Sequence, residues 1–158
     1  MNEGTRWQFT VFIVLLVALH FVLRVGMGLG LLVPDLLVVA LLLAARRVRP
    51  GPAAGLGFLF GLLDGGPTPP IGPSALALTL LGFAASRLRD ALAGDSPVTL
   101  ALYFFAGKWL FDVLLFLITR VTTDSAGPVT GLLLVSPLAA LYAAAAGLAA
   151  WAAYRSIV

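Results

Sequence analysis

The sequence predicts an all-α fold, an integral membrane bundle of six transmembrane helices forming a single domain over residues 1–158. Three observations carry this expectation. Of 158 residues, 61% are hydrophobic and 11% are charged, whereas soluble domains carry about a quarter charged residues. The mean hydropathy is +1.06. The apolar residues also fall into six runs parted by short loops. At ~20 residues per crossing, the length accommodates six crossings and little more. A soluble enzyme with a polar surface is excluded.

Run one covers residues 7–23. It shows no small-x-small cleavage site and ends in His20 and Arg24, so it reads as a retained helix and not as a signal peptide. Run two, residues 31–45, holds Pro34-Asp35 near its start and is followed by Arg46, Arg47 and Arg49. Runs three (52–63) and four (73–85) are short. Twelve or thirteen helical residues cover roughly 20 Å, less than the ~30 Å hydrocarbon core. They span with help from flanking residues or local thinning, or they form a re-entrant pair. Run five, residues 97–118, contains Lys108 and Asp112, and run six covers 128–153. Four runs open on proline, which the first helical turn tolerates because its N–H has no intrahelical acceptor. The Gly/Pro-dense stretch 65–73 predicts an ordered turn on the outer side.

There is no cysteine and one histidine, so disulfides, thiolate sites and zinc are not expected, and no cofactor is expected. The pI near 10 reflects arginines between the apolar runs, a topology signal and not a nucleic-acid surface. Arg6, Arg46, Arg47, Arg49, Arg87, Arg89 and Arg155 fall on one side. Only Arg24 and Arg120 fall on the other. Both termini are therefore expected in the cytoplasm. Trp7, Trp151 and Tyr154 suit the cytoplasmic interface, while Trp109 reads as a packing residue within run five.

Ionisable groups inside a membrane are costly and face partners or cavities. On this topology Arg24, Asp35, Asp64 and Asp112 gather in the outer half, with Lys108 near the middle. Lys108 and Asp112 are four apart and share a helical face, which Thr119 continues. His20 and Arg24 share the same spacing. These groups either neutralise one another and fix packing, or they bind a small molecule or a partner helix. Asp64 and Asp112 could form a two-carboxylate site, yet neither Gly-x-Ser-x-Gly nor His-Glu-x-x-His occurs, so no catalytic residue is expected. Gly57, Gly61 and Gly65, extended by Ala53, form a small-residue stripe that admits a close helix. Ala139, Ala143, Ala146 and Ala150 repeat the pattern in run six. Either row serves internal packing or a partner helix.

Residues 34–89 carry an ordered pattern: Pro34-Asp35, an apolar run, Arg46-Arg47, then Gly55-Leu56-Gly57-Phe58-Leu59-Phe60-Gly61-Leu62-Leu63-Asp64, a Gly/Pro loop to Gly72, a helix containing Gly82, and Arg87. This resembles the bacterial rod shape-determining MreD family, which the chain also matches in length and six-helix plan. The resemblance carries over to Pro34, Asp35, Arg46, Arg47, Gly57, Gly61, Asp64 and Gly72. It implies a non-catalytic inner (cytoplasmic) membrane component of the elongasome that makes peptidoglycan and maintains cell shape. The implied partners are a single-span MreC-like protein, the RodA/penicillin-binding-protein pair and MreB. The implied fold is similar to the substrate-binding subunit of vitamin ECF transporters. A subunit of such a transporter, docking on ATPase modules, is therefore the alternative expectation.

Overall fold

The computed structural model describes residues 3–26, 34–65, 72–89, 96–123 and 129–157. Every regular element among them is helical: α1 (Glu3–Phe21), α2 (Leu36–Ala45), α3 (Pro50–Gly65), α4 (Pro73–Leu88), α5 (Pro97–Thr123) and α6 (Ser136–Ile157). A π-helical turn, Val22–Gly26, extends α1, and a second, Gly131–Val135, leads into α6. Each helix sits on one apolar run. Pro73 and Pro97 open α4 and α5 as expected, while α3 starts at Pro50, two residues before Pro52. Pro128, residues 31–33 and most of the 65–73 loop lie outside the described residues.

Among the described residues, three segments are long and apolar enough to cross a membrane: Trp7–Arg24, Pro97–Thr122 and Gly131–Ser156. The helices α2, α3 and α4 have 10, 16 and 16 residues. At 1.5 Å per residue they measure about 15–24 Å, short of a ~30 Å core.

The shortest helix is the centre of the bundle. All ten residues of α2 are buried, and it touches α1, α3, α4, α5 and α6. Leu36–Ala45 contains only Leu, Val and Ala, so it has no polar side, and a helix apolar all round belongs inside. The surrounding helices also point apolar side chains outward. Val14, Leu15 and Leu19 on α1, Leu102 and Leu117 on α5, and Leu138 and Leu141 on α6 are all exposed. Exposed apolar surface on this scale suits a lipid surround, not water. Trp109 departs from expectation. It is 43% exposed, because it shares the outward side of α5 with Leu102 and Leu117 while Phe104, Lys108 and Phe111 turn inward.

The glycine stripe faces α4. A Cβ on Gly57 would overlap the Leu78 backbone, one on Gly61 would overlap Ala75 and the Ser74 carbonyl, and one on Gly82 would overlap Ala53. The pairs 53–82, 57–78 and 61–75 define an antiparallel register with the two backbones in contact. Gly65 does not continue the stripe: a Cβ there meets none of the described residues within 4 Å, because α4 begins at Pro73 and does not extend that far. In α6, Ala143 and Ala150 are buried, Ala139 and Ala146 half-buried, and Gly147 lies against the Phe104 ring. Both small-residue rows are thus used largely within the bundle, Gly65 and the cleft-lining Ala139 excepted.

Successive helices alternate in direction, which separates two ends. At one end, Ser86 Oγ and Arg89 donate to the Val48 carbonyl at 2.7 and 3.2 Å. There Phe9 of α1 meets Tyr154 of α6 edge-on at 5.4 Å. This end carries Arg46, Arg47, Arg49, Arg87, Arg89 and Arg155. The other carries Arg24, Asp35 and Asp64. Towards the arginine-rich end, the buried Tyr103 hydroxyl donates to the Leu42 carbonyl at 3.0 Å, tying α5 to α2. That carbonyl also accepts from the Arg46 N–H, so Tyr103→Phe leaves it partnered. The expected cost is about 1 kcal/mol, read as a small fall in the thermal midpoint in detergent. A loss as large as that of a core truncation would show that the hydroxyl does more.

Candidate functional site

The short length of α2 places its N-terminus deep in the bundle, and a charged network forms around it. Pro34 accepts from the Leu36 N–H at 2.7 Å in a tight entry turn. Asp35 then caps the helix, its Oδ1 accepting from the Val38 N–H at 3.4 Å. A carboxylate here satisfies an orphan donor and favours the helix dipole. The other oxygen, Oδ2, lies 3.1 Å from Lys108 Nζ. Lys108, 8% exposed, donates to Asp112 Oδ1 at 2.6 Å and sits 4.8 Å from the Phe111 ring centre. Ser136 Oγ donates to Asp112 Oδ2 at 2.5 Å. The chain Ser136–Asp112–Lys108–Asp35 therefore links α6, α5 and α2.

A second group adjoins it. Arg24, in the π-helical turn after α1, donates to Asp64 Oδ1 at 3.2 Å. His20 Nε2 lies 3.5 Å from Arg24 Nη1 and 4.0 Å from Asp64 Oδ1. The Ser74 side chain also hydrogen-bonds Asp64, and Asp35 lies within electrostatic reach of both His20 and Asp64. Ser74 follows Gly72, whose φ of 138° is a backbone region that side chains disfavour. His20 is 1% exposed, and its Nδ1 has no hydrogen-bond partner among the described residues.

The expected pairs Lys108–Asp112 and His20–Arg24 are both in contact. Asp64 and Asp112 do not form a two-carboxylate site: each is held by its own cation. Arg46 and Arg47 belong to the opposite end of the bundle, at the C-terminus of α2. The sequence reading missed Ser136 and Ser74, and it missed Asp35 as a second acceptor for Lys108. Only the hydroxyls opening their helices, beside Pro137 and Pro73, could have signalled the serines.

Lys108 and Asp112 also floor an open cleft of about 460 Å³ between α5 and the π-helical turn that leads into α6. Leu115, Phe116, Leu132 and Val135 form its apolar walls, and Thr119 lies on the same side as the sequence spacing predicts. Among the described residues no three His, Cys, Asp or Glu side chains come together as a metal site would need. The arrangement binds helices to one another and exposes a polar floor to one lateral opening. Two fixed cations, Arg24 and Lys108, face three carboxylates, Asp35, Asp64 and Asp112.

Together, fold and surface define an all-helical protein with three membrane-capable helices around a buried short one. Comparison with protein-family models, curated proteins and solved structures gives no match.

Proposed function

We propose that the chain is an MreD-like, non-catalytic component of a bacterial inner-membrane complex for cell-wall elongation, holding a single-span MreC-like protein. On this reading it crosses the membrane six times. The three shorter helices are accommodated by a bilayer that thins around them. The arginine-rich end and both termini face the cytoplasm. The ordered pattern from Pro34 to Arg87 supports the family assignment. The observation that carries the partner role is the lateral cleft between α5 and α6. Its walls are apolar, as a lipid-embedded partner requires. Its floor offers the Asp112 carboxylate, in a group with surplus negative charge, to a hydrogen-bond donor on a partner helix. Such polar contacts add to van der Waals packing between helices in lipid. The RodA/penicillin-binding-protein pair and MreB would be reached through that complex.

Native mass spectrometry of the protein gently extracted from its own membrane tests this reading. Co-extraction of a single-span MreC-like protein is expected, and Ala139→Trp, which fills the cleft, should abolish it while leaving the fold intact. A folded Ala139→Trp protein that keeps the partner would overturn the cleft assignment. A bound small molecule together with ATPase modules would make the chain the substrate-binding subunit of an ECF-type vitamin transporter instead.

A further inference from the structure

The arginine-rich end holds a second feature that the charged network does not use. Arg46 and Arg47 follow the last residue of α2. They line a cup of about 210 Å³ between α1, α2 and α6, completed by Phe9, Phe12, Leu43, Trp151 and Tyr154, and the Arg46 guanidinium lies 5.9 Å from the Tyr103 ring centre of α5. Arg47 is fixed there. Its guanidinium lies 4.0 Å from the Phe9 ring centre and 4.9 Å from that of Tyr154, and it donates to Tyr154 Oη at 3.2 Å. Stacking on two rings orients the planar fork of the guanidinium. Two adjacent arginines in an aromatic cup favour a doubly accepting oxyanion, and a phosphate fits that geometry.

On the other side of Phe9 an apolar groove of about 430 Å³ runs between α1 and α3 over Ala44 of α2 and Val48 of the turn that follows it. Its walls include Ile13, Val17, Leu56 and Leu63. From Phe9 to Val17 it follows α1 for about 12 Å, away from the arginine-rich end and towards the outer half. The Phe9 ring is therefore shared by a cationic cup at the end of the bundle and an apolar groove along its side.

We infer that this cup and groove form a site for an anionic glycerophospholipid, its phosphate on Arg46 and Arg47 and an acyl chain in the α1–α3 groove. A free phosphate would use the cup alone, and the adjoining groove selects an amphiphile. Basic pockets between membrane helices at the cytoplasmic level suit such headgroups. Arg49, Arg87, Arg89 and Arg155 at the same end add attraction to an anionic leaflet without lining the cup. The inference holds whichever protein partner occupies the α5–α6 cleft.

The test uses the full chain in detergent, titrated with phosphatidylglycerol or with phosphatidylcholine of the same chains, with bound lipid counted by native mass spectrometry. Phosphatidylglycerol should bind more tightly by about tenfold, and inorganic phosphate should not displace it at matched concentration. Arg46→Gln should remove most of that preference, and Arg87→Gln, at the same end but outside the cup, should leave it. Val14→Trp, which fills the groove from its exposed side, should weaken both lipids while Arg46 and Arg47 stay in place. Equal binding of the two lipids would overturn the inference, as would equal effects of Arg46→Gln and Arg87→Gln. Full displacement by inorganic phosphate, or unchanged lipid binding in Val14→Trp, would remove the groove from it.

Discussion

Lys108→Met is expected to be the most damaging single charge substitution in the bundle. Lys108 Nζ serves two carboxylates, Asp35 at 3.1 Å and Asp112 at 2.6 Å. Its removal leaves two like charges near one another in a setting with little water. Breaking a buried pair by deleting one partner typically costs about 3–5 kcal/mol, and two carboxylates are stranded here. Asp112→Asn should be milder, because Lys108 keeps Asp35 and the amide can still accept from Ser136. The triple change Asp35→Asn, Lys108→Met, Asp112→Asn removes every charge of the Asp35–Lys108–Asp112 group and should recover much of the loss. Accumulation in the membrane and thermal unfolding in detergent would rank the variants. A Lys108→Met protein no less stable than Asp112→Asn, or a triple variant less stable than Lys108→Met, would show that Lys108 does not hold the two carboxylates together.

Gly57→Leu and Gly61→Leu should be comparably severe for a steric reason. At both positions the obstacle to a Cβ is backbone: the Leu78 carbonyl group for Gly57, and Ala75 with the Ser74 carbonyl for Gly61. No flexible side chain can move aside, so α3 and α4 must separate. Overpacking of this kind costs roughly 1–3 kcal/mol and more where the backbone must shift. Gly65→Leu is the internal control, since its Cβ meets none of the described residues within 4 Å. The expected result is loss of folded protein for the first two substitutions and near-normal yield for the third. Equal tolerance at all three would mean that α3 and α4 are not in backbone contact. Gly147→Ala is a different case, because its obstacle is the Phe104 ring, a side chain that can tilt.

The six helices were legible because each apolar run ends in charge, Gly or Pro, and the contrast marks a boundary without any periodicity. The position of α2 was not legible for the same reason. A run of Leu, Val and Ala has no polar side to indicate which way it faces, so burial against five neighbours cannot be told from lipid contact on one side. Spacing by four found Lys108–Asp112, because that pair lies within one helix. It could not find Asp35, whose reach to Lys108 depends on α2 stopping after ten residues. The glycines announced a close helix but not its identity. Gly82, the reciprocal notch opposite Ala53, stood in the sequence only as one glycine in an apolar helix. Gly65 kept the spacing but fell beyond the start of α4. Trp109 was assigned inward from its depth alone, and its helical side decided otherwise.

The enclosure of α2 also bears on how the protein is made. A ten-residue helix, about 15 Å long, with an aspartate at one end and two arginines at the other, is a poor candidate for insertion by itself. Its walls include α5 and α6, which leave the ribosome after it. During synthesis the second helix must therefore wait, half-sheltered by its earlier neighbours, until the fifth brings the lysine that neutralises its leading aspartate. The finished bundle has later helices closed around an earlier one, and its assembly must reach that arrangement.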